Sequence, residues 1–252
     1  MNAAANSVIR AVPPHHPTTD RSATISAPSP ATWAYTENFV PEDDVVDRAR
    51  GRARELGCEA VTPGAGAVLG LLAAAVQARG VVEIGTGAGV SGIYLLRGMP
   101  ADGVLTTIDV EAENQRAARE AFGEVGARPN RTRVICGRAL DVLPRLTDAA
   151  YDLVLVDAGP GQCERHVEQG LRLVRPGGVL VVNDALWHGR VVDPAQRDGA
   201  TTAMREAAKR LRDDDRLLPA LLPVGGGLLI AALPATNGTS PGVMGGREVR
   251  PH

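Results

Sequence analysis

The chain has 252 residues, of which 44% are hydrophobic and 22% are charged, and its formal net charge is -2. This composition predicts one globular domain with enough apolar material for a sizeable core. A net charge so near zero gives no electrostatic reason to expect nucleic acid or an anionic membrane surface as a partner.

The 3 cysteines, Cys58, Cys136 and Cys163, are widely spaced and form no CxxC motif. They predict free thiols in a reducing compartment rather than disulfides or a zinc site. No apolar stretch is long enough to span a bilayer, and the first residues lack the basic-then-apolar pattern of an export signal. We therefore expect a cytoplasmic protein that does not contact membranes.

The two ends of the chain differ from its middle. Residues 1–30 are rich in Pro, Ser, Thr and Ala, residues 235–252 are similar, and neither stretch shows hydrophobic periodicity. Such composition is typical of disordered tails. Residues 31–234 are predicted to form the folded domain.

Helical patterns open the folded domain, and apolar runs separated by helical segments follow. Residues 42–57 and 62–80 predict helices, the first with acidic residues at its start and a glycine at its end. Five apolar runs come next: GVVEIG, GVLTTIDV, TRVICG, YDLVLVDA and GGVLVVND. Continuous runs bounded by Gly and Asp are typical of parallel strands covered on both faces.

The last two apolar runs, RLLPALLPV and GLLIAAL, lie on either side of a glycine turn and predict a hairpin. Five strand–helix units and this hairpin predict an α/β fold. The sheet would be doubly wound and mostly parallel, with seven strands and a C-terminal antiparallel hairpin, as in Rossmann-like folds. Ligands bind such sheets beyond the carboxyl ends of the strands. That edge would carry residues 83–89, Asp109, Asp157, Asn183 and Asp184.

The segment VVEIGTGAGVSG runs from a strand through glycines into a helix. Glycines let the backbone approach a ligand closely, and a helix N-terminus offers free N–H groups. Gly87, Gly89 and Gly92 satisfy GxGxxG, which alone is a weak signal. Asp109 ends the next strand about twenty residues later, where a carboxylate accepts the hydroxyl protons of a ribose. A nucleoside-containing ligand is predicted, and both NAD and S-adenosylmethionine satisfy the pattern.

Glu83 distinguishes between NAD and S-adenosylmethionine as the predicted ligand. It lies two residues before Gly85, inside a strand that dinucleotide-binding proteins keep apolar. A carboxylate there would repel a diphosphate, whereas it suits a ligand that carries an amino acid portion, through water or backbone contacts.

The motifs occur in the order of a known family. The series E-x-G-T-x-x-G-x-S, the strand-ending Asp109 and Asp157, the turn RPGGVLVV and the closing hairpin resembles class I S-adenosylmethionine-dependent methyltransferases. More narrowly, ALWHGRV after an Asn/Asp pair resembles the cation-dependent O-methyltransferases, which include catechol and caffeoyl-coenzyme A O-methyltransferases and their bacterial relatives. The resemblance covers residues 38–233.

This resemblance implies S-adenosylmethionine as cofactor and assigns residues to it. The backbone of Val61 would touch the methionine portion, and Asp109 would bind the ribose. Val110 and Ala139 would lie near the adenine. The cofactor loop would comprise Glu83, Gly85, Thr86, Gly87 and Ser91.

The resemblance also implies a divalent cation, Mg²⁺, Mn²⁺ or Ca²⁺, held by Asp157, Asn183 and Asp184. The chemistry of these side chains agrees, because hard oxygen ligands suit these ions and the ends of neighbouring strands converge. A phenol has a pKa of about 10. A bound cation lowers that pKa and fixes the oxygen for methyl transfer.

Several positions depart from the family pattern. The family has Asp then Asn after the fifth strand, whereas here Asn183 precedes Asp184. Because successive strand residues point to opposite faces, both side chains reach one site only if the strand ends by Asn183. Pro160 replaces a family lysine that acts as base or orients the hydroxyl. The late GDG motif reads GGG at residues 225–227.

Without that lysine, we expect deprotonation by the metal alone, or proton transfer to His188 or Asp157. Simpler structural roles also exist: Asp157 could cap the following segment, and a lone loop histidine such as His188 is more often structural. His166 is expected to be a solvated helix residue, and Asp198 to start a helix.

The sequence thus predicts an S-adenosylmethionine-dependent O-methyltransferase for a small hydroxylated molecule, catechol-like or phenolic, and the family implies a homodimer. One alternative is an NAD(P)-dependent oxidoreductase, which Glu83 and the lack of a Tyr-x-x-x-Lys motif disfavour. The other is an S-adenosylmethionine-binding protein with little catalysis, which Pro160 and the Asn183–Asp184 order leave open.

Overall fold

The computed structural model of the protein describes residues 29–235. The predicted tails therefore lie outside the described residues except at their inner ends. There, Ser29 caps the first helix and Pro30 is the first residue of that helix. No described helix is both long enough and apolar enough to cross a membrane.

Within residues 29–235 the chain forms eight α-helices and seven β-strands. The helices are α1 (Pro30–Glu37), α2 (Asp44–Leu56), α3 (Pro63–Ala75), α4 (Val90–Gly98), α5 (Ala112–Glu124), α6 (Ala139–Val142), α7 (Cys163–Leu173) and α8 (Gly199–Arg212). The strands are β1 (Gly80–Ile84), β2 (Val104–Asp109), β3 (Thr132–Cys136), β4 (Tyr151–Val156), β5 (Val174–Val182), β6 (Leu218–Leu222) and β7 (Leu228–Ala232).

The strands form one sheet in the order β3-β2-β1-β4-β5-β7-β6. Strands β1 to β5 pair in parallel, and β7 is antiparallel to both β5 and β6. The predicted doubly wound sheet with its closing hairpin is confirmed. Because the strand order reverses between β1 and β4, the crevice of the sheet opens at the carboxyl ends of these two strands.

Both faces of the sheet are covered, which explains the continuous apolar runs. Along β4, Leu153 and Leu155 pack into the core formed with α2, α3, α4 and α5, while Val154 and Val156 pack into the core formed with α7 and α8. Alternate side chains of a strand point to opposite faces, so a strand buried on both sides has no polar alternation.

Local signals set the helix boundaries near the crevice. Thr62 caps α3 by accepting the N–H of Ala65, and Pro63 is the first residue of that helix. Asp198 caps α8 by accepting the N–H of Thr201, as the sequence predicted. Helix α3 ends at Ala75, five residues before β1 begins at Gly80, so the apolar pattern of residues 62–80 extends past the helix itself.

Candidate functional site

A cavity of about 630 Å³ opens at the carboxyl ends of the central strands. Most of the predicted site residues line it: Val61, Gly85, Thr86, Gly87, Ser91, Asp109, Val110, Ala139, Asp157, Asn183 and Asp184. Two predicted residues do not line it. Glu83 lies behind the wall of the cavity, fully buried, and His188 is exposed at its outside.

The glycine loop after β1 turns sharply against the end of β4. Gly85 has a φ of +98°, and a Cβ atom at this position would lie 2.2 Å from the carbonyl oxygen of Asp157. Any side chain would therefore push the loop away from β4. This close approach makes glycine necessary at the predicted cofactor loop.

Asp109 braces this loop from the end of β2. Its Oδ2 accepts hydrogen bonds from the backbone N–H groups of Thr86 and Gly87 at 3.1 and 2.9 Å, and its Oδ1 accepts from Glu111 at 2.9 Å. Two of the N–H groups that the glycine pattern predicted to be free are therefore already paired with Asp109. The loop is held in place before any ligand binds.

Glu83 is a buried anchor. Its Oε1 accepts a hydrogen bond from Ser91 at 2.6 Å, and its Oε2 accepts one from Thr107 at 2.5 Å. Burial raises its pKa to about 7, although both hydrogen bonds act in the opposite direction. Glu83 thus ties α4 to β2 and reaches the cavity only through Ser91, which does line it.

Asp157 immediately follows β4 and is joined to the end of β5. The Nδ2 of Asn183 donates to Oδ1 of Asp157 at 2.7 Å. Asp157 caps no described helix, since Gly159 and Gln162 precede the two helical segments that follow it. Burial is the largest cause that raises the pKa of Asp157 well above its usual range, and the negative charge of Asp184 adds to it.

The end of β5 decides where the Asn183–Asp184 pair points. The strand ends at Val182, so both residues belong to the turn after it. Asp184 takes a left-handed conformation with φ of +53°, and strand alternation no longer applies. Both side chains line the same cavity as Asp157.

The turn that carries Asp184 is strained and closely fitted. Trp187 and His188 also have positive φ, at +46° and +53°, and non-glycine residues in this region each cost about 1 kcal/mol or more. The carboxylate of Asp184 lies against Gly226 in the turn between β6 and β7, where an added Cβ would be 2.0 Å from Oδ1. Burial and the nearby charge of Glu59 raise the pKa of Asp184, whereas His188 lowers it.

The charges around this part of the cavity are unbalanced. Asp157 and Asp184 face the cavity together with Glu59, which the sequence analysis missed, while Arg138 is the one arginine or lysine in the lining that the structure describes. The described residues contain no group of three His, Cys, Asp or Glu side chains with metal-binding geometry. The available donors are two carboxylates and one amide. A divalent cation fits them electrostatically, because it would offset two carboxylates that lack a positive partner.

The side-chain amide of Asn183 must rotate before its oxygen can act as a cation ligand beside Asp157 and Asp184. It presents its NH₂ group, not its oxygen, to Asp157. The two orientations of an amide have almost the same shape, and the choice follows the hydrogen-bond network. A cation between the two side chains would reverse that choice and point Oδ1 inward.

Other positions differ from expectation. His166 is buried at 5% exposure and lines the cavity, so the prediction that it is solvated is wrong. Helix α7 packs against β4, β5 and α8, and no local pattern reveals which of its residues this packing buries. Pro160 lies at the cavity wall and offers no base there. Lys209, the one lysine of the sequence, does not replace the family lysine, because it lines a separate groove between α8 and β6.

Comparison with known proteins is consistent across sequence and structure. Residues 48–233 match the family model described as O-methyltransferase. A protein of Mycobacterium sp. strain JLS named as an O-methyltransferase is 52% identical over 202 residues, which are 80% of this chain and 92% of that protein. A Mycobacterium tuberculosis H37Rv protein, also named as an O-methyltransferase, is 53% identical over 199 residues, covering 79% of this chain and 89% of its own.

A solved structure resembles the whole described domain. The O-methyltransferase TomG from Streptomyces achromogenes, involved in tomaymycin synthesis, was crystallised in complex with S-adenosylmethionine. It is 32% identical, with a TM-score of 0.73, over 81% of this chain and 96% of that one. The ligand bound to TomG belongs to the nucleoside-containing class that the glycine loop, Glu83 and Asp109 predict for this sequence.

Proposed function

Because the chain belongs to the O-methyltransferase family, we propose that it transfers the methyl group of S-adenosylmethionine to a hydroxyl group of a small phenolic or catechol-like molecule, with help from a divalent cation. One observation carries this proposal. The ribose-binding candidate Asp109 and the cation-binding candidates Asp157, Asn183 and Asp184 all line a single cavity. A methyl donor and a metal-held hydroxyl would therefore meet in one enclosed space.

The cofactor side uses the braced loop. Gly85 to Gly87 would lie against the methionine portion, with the Val61 backbone opposite and Ala139 near the adenine. A carboxylate has about four lone-pair sites. In Asp109 three are occupied by backbone N–H groups, while Asn114 lies at a long 3.3 Å from Oδ2. A ribose hydroxyl would displace this weak contact with Asn114.

The acceptor side uses the residues after β4 and β5. Asp157, Asp184 and the turned amide of Asn183 would hold Mg²⁺, Mn²⁺ or Ca²⁺. When bound, such an ion lowers the pKa of a phenolic hydroxyl from about 10 and favours its ionised form. Because the backbone N–H of Asp157 donates to the carbonyl of Ile84 at the end of β1 at 2.8 Å, the position of Asp157 is set by the sheet before the acceptor enters.

Methyl transfer depends mainly on placement. A hydroxyl oxygen attacks the methyl carbon in line with the departing sulfur, and correct positioning supplies much of the rate enhancement. With Pro160 in the lysine position, the side chains left to accept the proton are Asp157 and His188. Asp157 lines the cavity, whereas His188 is exposed and does not line it.

The test is methyl transfer from S-adenosylmethionine to a panel of catechols, with and without EDTA. We expect turnover that EDTA abolishes and Mg²⁺ restores. Asp184→Ala should abolish turnover and keep cofactor binding, while Asp213→Ala, a change at the exposed end of α8, should alter neither. Tight cofactor binding without turnover on any acceptor would favour the binding-protein alternative, and binding of NAD would favour the oxidoreductase.

Two expectations from the sequence, a homodimer and a cytoplasmic location, stay predictions. Gel filtration with light scattering measures the molar mass in solution and so tests the homodimer.

A further inference from the structure

One wall of the cavity takes no part in the cofactor or cation sites. It is formed by Gln162, His166, Trp187 and Met204, which we call the distal wall. Gln162 and His166 come from the segment after β4, Trp187 from the turn after β5, and Met204 from α8. The cofactor residues follow β1, β2 and β3 instead. The strand order therefore places the distal wall on the cation side of the cavity, away from the adenine.

His166 is the polar group of this wall that lacks a structural role. The residue is 5% exposed, and its Nδ1 is buried without a hydrogen-bond partner among the described residues. Buried polar atoms in native proteins are nearly always paired, so His166 is a buried polar residue that the described fold does not use for its own hydrogen bonding. Burial, with a further contribution from Arg165, lowers the pKa of His166 and keeps the ring neutral.

The neutral ring carries its single proton on one nitrogen. An unpaired acceptor is tolerated in protein interiors more often than an unpaired N–H. The buried Nδ1 is therefore the unprotonated nitrogen, and the proton lies on Nε2 at the other end of the ring. Since His166 lines the cavity and Nδ1 is its buried nitrogen, we assign the Nε2–H as the donor available to a bound molecule.

We propose that His166 is a specificity-determining residue that donates a hydrogen bond to a carbonyl or hydroxyl oxygen of the acceptor, remote from the hydroxyl that is methylated. This inference rests on the proposed function, since it places the reacting hydroxyl at Asp157 and Asp184. Trp187 and Met204 supply the apolar surface for an aromatic ring between these two points.

The charges of the cavity restrict the acceptor further. Glu59, Asp109, Asp157 and Asp184 line it, and Arg138, next to the adenine position, is the one described arginine or lysine that does. Among the residues that the structure describes, no arginine or lysine that lines the cavity belongs to the distal wall. An acceptor with a second, uncharged polar group fits this wall, whereas one with a carboxylate there does not.

A matched pair of ligands tests the hydrogen bond. The ligand 3,4-dihydroxyacetophenone carries a carbonyl oxygen, and 4-ethylcatechol has nearly the same shape without it. Dissociation constants are measured by calorimetry on the full chain saturated with S-adenosylhomocysteine and Mg²⁺. We expect the ketone to bind about threefold to tenfold more tightly, the range for one neutral hydrogen bond. We expect 3,4-dihydroxybenzoate to bind more weakly than either.

Two variants locate the effect. The ketone also makes the catechol more acidic, which favours its binding to the cation in every variant. His166→Leu should therefore lower the preference for the ketone by about threefold to tenfold, whereas His166→Gln, whose amide nitrogen can take the place of Nε2, should keep the wild-type preference. Affinity for S-adenosylhomocysteine should not change in either variant. Thermal melting checks that both variants fold. If His166→Leu does not fold, the ratio of the affinities for the ketone and for 4-ethylcatechol is compared between the wild type and His166→Gln instead.

The results that overturn the inference are distinct from those that overturn the proposed function. Equal wild-type affinity for the two ligands, or a preference as large in His166→Leu as in the wild type, overturns the role of His166. A loss of S-adenosylhomocysteine affinity in that variant also overturns it, because His166 then contacts the cofactor. A ketone preference that depends on His166 without any methyl transfer overturns only the proposed reaction.

Discussion

A single methyl group at Gly226, a position that supplies no ligand itself, should disable the cation site by displacing Asp184. Gly226 lies between β6 and β7, and a Cβ there would be 2.0 Å from Oδ1 and 2.9 Å from Cγ of Asp184. Its neighbours Gly225 and Gly227 have φ of +55° and +93°, but Gly226 is not among the positive-φ glycines. Alanine at position 226 therefore costs little backbone strain, and the strain falls on Asp184.

The displacement is large compared with what a metal site tolerates. An ordinary van der Waals contact needs 3.4 Å, so the carboxylate oxygen must move by about 1.4 Å. Ligand distances in metal sites hold to about 0.2 Å. A misplacement of about 1 Å near the reacting groups costs about 100-fold in rate. We expect Gly226→Ala to lower kcat/KM by about 100-fold and to weaken Mn²⁺ binding at least about tenfold.

Three measurements separate this effect from general damage. Mn²⁺ affinity is measured by electron paramagnetic resonance, S-adenosylhomocysteine affinity by calorimetry and kcat/KM with a catechol acceptor. The cofactor affinity should stay within about twofold, because Asp109 and the glycine loop lie at other strand ends. Gly51→Ala in α2, where an added Cβ meets nothing within 4 Å, is the matched control and should change none of the three. Wild-type Mn²⁺ affinity and activity in Gly226→Ala would refute the assignment of Asp184 as a ligand.

Three further predictions concern stability. Because burial raises the pKa of Glu83 from 4.5 to about 7, its ionisation opposes folding: the contribution of Glu83 to stability is largest below pH 4.5 and falls by about 3 kcal/mol as the pH rises toward 7. Asp157 and Asp184, whose pKa values are also raised, contribute in the same direction, so Glu83→Gln should make the fall smaller without abolishing it. Urea unfolding at pH 5 and pH 7.5 checks this, and a pH slope equal to that of the wild type would contradict the assignment. Glu37 accepts hydrogen bonds from the N–H groups of Gly64 and Gly225 at 3.1 and 2.5 Å and so ties α1 to α3 and to the last turn. Glu37→Ala should cost about 1–2 kcal/mol and speed limited proteolysis near α1, whereas equal cleavage rates would show that α1 is held by other contacts. Asp152 accepts from the N–H groups of Arg79 and Gly80, both at 2.7 Å, and from Arg175 at 2.6 Å, at the end of the sheet opposite the cavity. Asp152→Ala should cost about 2–4 kcal/mol in urea unfolding and leave kcat/KM unchanged at a temperature where the variant is folded; a matching loss of activity would show that this end of the sheet is coupled to the site.

The fold and the position of the site were predictable because their signals are local. Apolar runs that end in Asp109, Asp157 and Asn183 are buried strands, and the carboxyl ends of parallel strands meet at one edge of a sheet. The sequence shows a glycine at position 85, between a strand and a helix, and this placement predicts a turn that needs a residue without a side chain. Family resemblance then named the methyl donor that these features left open beside NAD.

Only the tertiary structure decided which way the side chains point and which of them are buried. Whether Asn183 and Asp184 share a cavity depends on β5 ending at Val182 and on the left-handed backbone of Asp184, which the turn at Gly226 accommodates. Hydrogen bonds to Ser91 and Thr107 hold Glu83 away from the cavity. His166, by contrast, lines the cavity although the rest of the fold buries it. Burial and orientation are set by neighbours far away in the chain, so no local pattern contains them.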